Sequence, residues 1–96
     1  MTRATILESL LKVLREIQER AGEDPVALEE SSVPLRELPK FDSLLALEAT
    51  VEVETELGCP GDENLFYDEG SKRALTIGEI VDRLRARLGS TEKVNG

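Results

Sequence analysis

Residues 41 to 57 read FDSLLALEATVEVETEL, and the prediction of the fold starts from this stretch. Alanine, leucine and glutamate dominate it, and all three residue types favour the helix. Asp42 and Ser43 are residue types preferred at a helix N-terminus, while Gly58 is a typical residue just past a helix end. The stretch therefore predicts one helix that begins at Asp42 or Ser43 and ends at Leu57.

A second helix is predicted before this stretch, roughly from Thr5 to Arg20. Its apolar residues recur at helical spacing. They are Ile6, Leu7, Leu10, Leu11, Leu14 and Ile17. Thr5 and Glu8 have the spacing of a capping box, and Gly22 marks the end of the helix.

A third helix is predicted to begin at Thr76, because Thr76 and Glu79 have the spacing of another capping box. Its apolar stripe consists of Ile77, Ile80, Val81, Leu84 and Leu88. Gly89 is expected to end this helix. Residues 90–96 have few apolar side chains to bury, so a disordered tail is expected there.

The segments between these helices are less regular. Residues 22–41 are predicted to form a long first loop, and residues 64–68 a short helical turn with Leu65, Phe66 and Tyr67 as an apolar plug. No segment has the alternating pattern of a convincing strand. The sequence thus predicts an all-α fold, a small bundle of three main helices plus one short helix, with one domain over residues 1–89.

The charge balance narrows the class of partner. The chain has 96 residues and a formal net charge of −8. Binding to nucleic acid or to an anionic membrane surface needs clustered Lys and Arg, so we expect neither partner. No apolar run is long enough to span a bilayer. The N-terminal pattern is not that of a signal peptide, and a cytoplasmic location is expected.

The residue types that are missing argue against an enzyme. The chain has no His, which excludes Ser-His-Asp and Cys-His catalysis and removes the commonest zinc ligand. Neither a catalytic residue nor a metal site is therefore predicted. Cys59 is the only cysteine, and acidic residues surround it. It is interpreted as a half-buried apolar filler rather than a reactive thiol.

Acidic residues are concentrated in the middle of the chain. Between Lys40 and Lys72 there are nine acidic residues and no basic one, so the rest of the chain carries about +1. Such a stretch is either a solvated surface or a docking surface for basic partners.

A helical wheel of residues 43–57 separates two faces. It groups Glu48, Glu52, Thr55 and Glu56 in one sector, with Leu44 and Val51 at its edge. It groups Leu47, Thr50, Val53 and Leu57 in a sector that can face a core. The helix is therefore either buried on two sides or displays an apolar patch beside its acids, and the wheel does not choose between them.

At Asp42-Ser43-Leu44 the chain resembles the acyl carrier proteins and their peptidyl relatives. The resemblance extends to the order of the helices, the long first loop, the acidity and the stretch ALTIGEIVDRL in the last helix. The chain departs from the family pattern in several places. Lys40 stands where a Gly is common, Phe41 directly precedes Asp42, and Leu45 stands where an acidic residue is frequent. The stretch at residues 58–75 is also longer and less typical. The cargo therefore stays open among fatty-acid, polyketide and aminoacyl intermediates.

The resemblance implies a function and a site. Ser43 would carry a covalent 4′-phosphopantetheine arm, flanked by Asp42 and Leu44. The helix at residues 43–57 would be the recognition element for partner enzymes. The partner-binding residues implied are Leu44, Glu48, Val51 and Glu52. The partners implied are a phosphopantetheinyl transferase and the acyl-activating, synthase and acyltransferase enzymes of fatty-acid or polyketide biosynthesis, with the chain itself a monomer.

Two other interpretations compete with the carrier. The first is an unmodified acidic helical interaction module that docks on a basic protein through the helix at residues 43–57. Ser43 by itself is also open to interpretation as an ordinary helix cap, since serine is favoured there. The string FDSL also resembles the Gly-Asp-Ser-Leu esterases. Phe41 replaces their Gly, no His is present to activate the serine, and the chain is too short, so a hydrolase is excluded.

Overall fold

The computed structural model is a small, mostly helical domain, and it describes residues 2–24, 26–59, 61 and 64–94. Its elements are α1 (Arg3–Arg20), α2 (Pro34–Glu37), α3 (Ser43–Leu57), β1 (Tyr67–Asp68), β2 (Arg73–Ala74) and α4 (Ile77–Val94). Among the described residues, no helix combines the length and apolarity that crossing a bilayer requires.

Helix α1 begins two residues earlier than predicted. The Thr2 hydroxyl accepts a hydrogen bond from the backbone N–H of Thr5 at 3.2 Å, so Thr2 is the N-cap. The predicted capping box of Thr5 and Glu8 is therefore wrong, because Thr2 satisfies the free N–H groups three residues upstream. At the other end the prediction is confirmed, since the chain leaves the helix through Gly22 at φ +79°.

Helix α4 begins as predicted and ends later. The Thr76 hydroxyl accepts from the Glu79 N–H at 3.2 Å, while the Glu79 carboxylate accepts from the Thr76 N–H at 2.9 Å. This confirms the capping box. The prediction that Gly89 ends the helix is wrong, because α4 continues to Val94. A glycine inside a helix costs only about 1 kcal/mol relative to alanine.

The predicted tail is affected by this extension. Residues 90–94 belong to α4, so the expectation of a disordered tail does not hold for them. Residues 95–96 lie outside the described part of the chain. A domain boundary at residue 89 stays a prediction.

The two short elements differ from the prediction. The long first loop contains α2, which Pro34 opens at a position where its missing N–H costs nothing. Residues 67–74 form an antiparallel hairpin, with Tyr67 opposite Ala74, instead of the predicted helical turn at 64–68. The Asp68 carboxylate closes the hairpin by accepting from both the N–H and the hydroxyl of Ser71. Strands of two residues are too short to show an alternating pattern.

The core lies where α1 packs against both α3 and α4. Of the apolar stripe predicted for the first helix, Ile6, Leu10, Leu14 and Ile17 are buried, and Leu7 and Leu11 are partly buried against this core. Phe41 and Phe66 meet edge to face with ring centroids 5.2 Å apart. Leu65 and Phe66 are fully buried, as expected for the apolar plug, whereas Tyr67 is only half-buried. The hairpin therefore closes one end of the helical core.

The first loop is fastened to the start of α4. The N–H of Ile77 donates to the Ser32 carbonyl at 2.8 Å, and that of Gly78 donates to the Glu30 carbonyl at 2.9 Å. These are N–H groups that a helix start leaves without an intrahelical partner. Arg3 adds a side-chain bridge, because it contacts the carboxylates of Glu30 and Asp82. Residues 30–32 are thus fixed by main-chain bonds.

Acid is expected to weaken the start of α4. Hydrogen bonds from Arg73 and from the Thr76 N–H lower the pKa of Glu79 from 4.5 to about 2. Because the folded pKa is the lower one, this contribution to stability is present above pH 4.5 and is lost as the pH falls towards 2. Thermal melts of the wild type and of Glu79→Gln should therefore differ at pH 6 by more than at pH 2. An equal difference at both pH values would contradict the assignment.

Candidate functional site at the start of α3

Asp42, and not Ser43, caps helix α3. Asp42 has an extended backbone, and its carboxylate accepts from the Leu45 N–H at 3.0 Å. Its carbonyl accepts from the Ala46 N–H at 2.9 Å. The alternative in which Ser43 is an ordinary helix cap is therefore wrong, because Asp42 already fills that position.

Ser43 is the first residue of α3 and is exposed. Within the described part of the chain, its hydroxyl has no hydrogen-bond partner, and no group accepts from the N–H of Ser43 or Leu44. Unpaired N–H groups and the aligned peptide dipoles give the start of a helix a positive potential. An anion attached to the Ser43 oxygen would lie within this potential. The Ser43 site thus suits a phosphodiester.

The two residues that precede Asp42 and Ser43 are anchored to the rest of the fold. The N–H of Phe41 donates to the Leu38 carbonyl at 3.3 Å, and the Phe41 side chain is buried against Phe66. Lys40 lies in the left-handed region, at φ +61°, and its ammonium group is 3.1 Å from the Glu23 carboxylate. Lys40 therefore occupies a backbone conformation that glycine adopts without steric cost.

Replacing Lys40 by Gly is expected to stabilise the protein. A side chain in the left-handed region costs about 1–2 kcal/mol of stability, which glycine would remove. Part of this gain is lost, because glycine has more conformational freedom in the unfolded chain. The free energy of unfolding in urea should rise by about 0.5–1 kcal/mol. Lys40→Ala is the matched control, because it removes the ion pair and keeps the strain. A Lys40→Gly variant no more stable than Lys40→Ala would contradict the prediction.

Helix α3 displays an apolar strip, defined here as Leu44, Leu47 and Val51. Their side chains are 74%, 48% and 61% exposed. The prediction that Leu47 faces the core is wrong. The buried face lies at Ala46, Ala49, Thr50, Val53, Glu54 and Leu57. Two short alanines lie on the buried face, while the larger residues of the apolar strip are exposed. Of the two arrangements that the helical wheel allows, the helix therefore has the one that displays an apolar patch beside its acids.

Glu48 lies beside the apolar strip and makes no ion pair with any described residue. The other acids of α3 are neutralised from within the fold. Glu52 pairs with Arg20 of α1, and Glu56 pairs with Lys12 at 3.2 Å. The hydrogen bond to Glu56 raises the pKa of Lys12. The acidic stretch therefore presents less free charge than its sequence indicates, and Asp62 and Glu63 lie outside the described residues.

Glu54 is a buried member of the same acidic stretch. Its carboxylate is 2.6 Å from the Arg87 guanidinium of α4, and the two side chains are 8% and 22% exposed. Gly61 lies so close to this guanidinium that a Cβ there would collide with it. The wheel did not indicate this pair, because it compares residues within one helix only. Glu54 thus has a structural role rather than a docking role.

Thr50 is a second residue whose role the sequence did not indicate. Its hydroxyl donates to the Ala46 carbonyl at 2.8 Å and accepts from the Leu65 N–H at 3.1 Å. It therefore ties the segment after α3 back onto the helix. Neither bond reaches the exposed face, so Thr50 shapes the scaffold of the Ser43 site.

Cys59 is buried, more deeply than the half-buried position that the sequence predicted, while its interpretation as an apolar filler holds. Burial raises the pKa of its thiol, and the nearby Glu54 carboxylate raises it further. The thiolate, which is the reactive form, is therefore disfavoured. Cys59 acts as a packing residue next to the buried ion pair.

Comparison with protein-family models, with curated proteins and with solved structures finds no match to this chain. The resemblance to carrier proteins thus rests on the residues quoted above. At the start of α3, Lys40 is in the left-handed region at the position where a Gly is common in carrier proteins, and Ser43 is exposed. At residues 64–74 the geometry does not fit the resemblance, because a hairpin replaces the expected short helix.

Proposed function

We propose that this chain is a carrier protein that holds acyl, aminoacyl or polyketide intermediates on a 4′-phosphopantetheine arm attached to Ser43. One observation supports this above the others. The Ser43 hydroxyl is exposed at the first position of α3 and is not needed for capping, because Asp42 performs that task. When bound, the arm supplies a terminal thiol that holds the cargo as a thioester.

The chain's own residues prepare Ser43 for attachment. In the transfer, the Ser43 oxygen bonds to the phosphorus that carries the pantetheine of coenzyme A, the pyrophosphate bond breaks, and 3′,5′-ADP leaves. The hydroxyl proton goes to a base of the transferase, so the chain needs no His of its own. The free N–H groups of Ser43 and Leu44 stabilise the new negative charge. Asp42 orients this turn through its bond to the Leu45 N–H.

The apolar strip and Glu48 supply the surface that partner enzymes contact. Exposed Leu44 and Val51 offer apolar contact, and Glu48 offers a charge for Lys or Arg on the partner. Glu52 takes part less directly, because Arg20 already occupies its carboxylate. A small surface of this kind gives weak and rapidly reversible contacts. Such contacts suit a protein that visits a transferase, acyl-activating enzymes, synthases and acyltransferases in turn.

The apolar strip also favours a second candidate, an unmodified interaction module for a basic protein. Exposed Leu44, Leu47 and Val51 need no arm in order to bind a partner. The two candidates differ in their dependence on Ser43. A carrier loses its function with the Ser43 hydroxyl, whereas the interaction module depends on the strip and on Glu48 alone.

The test is the intact mass of the protein after incubation with coenzyme A and a promiscuous phosphopantetheinyl transferase. We expect a gain of one phosphopantetheine. The protein incubated without the transferase is the control, and a known carrier protein in the same buffer shows that the transferase is active. No gain on a folded sample, with the known carrier fully converted, would reject the carrier and leave the interaction module.

A further inference from the structure

A cavity of about 210 Å³ lies between α1 and the first loop. Leu14, Leu28 and Leu38 supply apolar walls, and two polar side chains of α1, the exposed Arg15 and the buried Gln18, also line it. An engineered protein cavity of about 150 Å³ is large enough to bind benzene. The present cavity therefore has room for a somewhat larger group with an aliphatic body.

Gln18 is the unusual member of this lining. The residue is only 1% exposed, and neither its Nε2 nor its Oε1 has a hydrogen-bond partner among the described residues. Buried side-chain amides are nearly always hydrogen-bonded, because an unpaired donor or acceptor loses its water without compensation. Leu14 and Ile17, its neighbours on the buried face of α1, are apolar, so a leucine at position 18 would continue that face. The glutamine introduces a donor and an acceptor that no group in the described part of the chain uses.

We propose that the cavity binds a short aliphatic group that carries an amide, and that Gln18 is the residue that recognises it. A carboxamide offers a donor and an acceptor side by side and so satisfies both orphaned atoms of Gln18 at once. In the free protein both amide atoms of Gln18 are closed off from the cavity, so binding requires the side chain to change rotamer and turn them towards the ligand. The leucine walls enclose the aliphatic part of the ligand.

The amide has two possible sources, a free small molecule or a group tethered to Ser43. The tethered source rests on the proposed function, since the pantetheine arm itself contains amide groups. These are trans secondary amides, whose C=O and N–H point in opposite directions, so each of them satisfies only one of the two Gln18 atoms. Leu38 connects the two places, because it lines the cavity and its carbonyl accepts from the Phe41 N–H two residues before Ser43. The free source is independent of the arm.

The experiment follows the side-chain NH₂ signals of Gln18 by ¹⁵N NMR in the unmodified protein. Isovaleramide is titrated in, and methyl isobutyl ketone, which has the same shape but no N–H donor, serves as the matched probe. We expect isovaleramide to shift the Gln18 signals and to bind at least about tenfold more tightly than the ketone, as one well-placed hydrogen bond provides. A second arm records the same signals in protein that carries pantetheine on Ser43, with no probe added.

The outcomes separate the sources. A shift with free isovaleramide supports the site and a free ligand, whereas a shift only on attachment of the arm supports the site and a tethered one. No shift of Gln18 in either arm overturns the proposal. Equal binding of the amide and the ketone overturns it too, as does a cavity that contains water only. A failed attachment leaves the first arm intact, so failure of the carrier function is recognised separately.

Two variants check the residue and the cavity. Gln18→Leu is expected to abolish the preference for the amide over the ketone and to raise the thermal midpoint, since it removes the unpaired amide. Leu28→Phe is expected to fill the cavity and weaken both probes while leaving Gln18 in place. If Gln18→Leu folds and still prefers the amide, Gln18 is not the recognising residue. Gln18→Met serves the same purpose should the leucine variant fail to fold.

Discussion

Replacing Ser43 by Ala is expected to abolish attachment of phosphopantetheine completely. The bond forms on the Ser43 oxygen, and alanine has none, so the intact mass should stay unchanged under conditions that convert the wild type fully. Ser43 is exposed and its hydroxyl bonds to no described residue, so the variant should keep its fold. Alanine also favours the helix slightly more than serine does. The effect is therefore all-or-none on loading and close to zero on the thermal midpoint.

Ser31→Ala is the matched control for this prediction. Ser31 is also exposed, but it lies in the first loop rather than at a helix start, and it should leave loading unchanged. Asp42→Asn tests the cap separately, because asparagine caps helices about as well as aspartate. It should fold normally and still accept the arm. A full mass gain on the Ser43→Ala protein would place the attachment elsewhere and refute the site.

Replacing Arg87 by Leu is expected to be the most destabilising of the substitutions considered. It leaves the Glu54 carboxylate, whose side chain is 8% exposed, without its partner. Breaking a buried ion pair from one side costs about 3–5 kcal/mol, since an uncompensated charge stays in the interior. Arg87 is partly exposed, so we expect about 3 kcal/mol, a large share of the roughly 5–15 kcal/mol that stabilises a domain. Urea unfolding measures the loss.

The double variant Glu54→Leu/Arg87→Leu distinguishes the ion pair from lost packing. Removing both charges eliminates the buried carboxylate, so we expect it to recover at least about half of the loss. Arg85→Leu is the control on the same helix, because Arg85 is exposed, and it should change stability by less than about 0.5 kcal/mol. A double variant no more stable than Arg87→Leu alone would mean that packing, rather than charge, accounts for the effect.

The three long helices could be predicted from the sequence because their signals are local. Helix α3 has the predicted bounds, since Asp42 and Gly58 terminate it by their own backbone and side-chain chemistry. The hairpin at residues 67–74 was missed because its stability comes from Asp68 and Ser71 in a turn, and not from a repeating pattern. The start of α1 was misplaced because a threonine three residues upstream competes with Thr5 for the cap.

The candidate site was predictable in its residues and less so in its electrostatics. The position of Ser43 at a helix start follows from the sequence alone. The pairing of Glu52 with Arg20 and of Glu54 with Arg87 joins helices far apart in the chain, and no pattern within one helix reports it. Leu47 was assigned to the core because the helical wheel groups it with Thr50 and Val53, whereas it lies at the edge of that sector and is exposed. Which face of α3 is buried depends on the helix packed against it, and the sequence of α3 alone does not determine it.

Because two main-chain hydrogen bonds join the first loop to the start of α4, hydrogen exchange at that helix start reports the motion of the loop. Amide protons in the first turn of a helix normally exchange rapidly with solvent deuterium, because they lack acceptors. Here those of Ile77 and Gly78 are covered by the carbonyls of Ser32 and Glu30. They exchange only when the loop lifts away, so their protection factors measure the free energy of that opening directly. The same pair of protons would report whether a ligand in the cavity beneath the loop holds it closed.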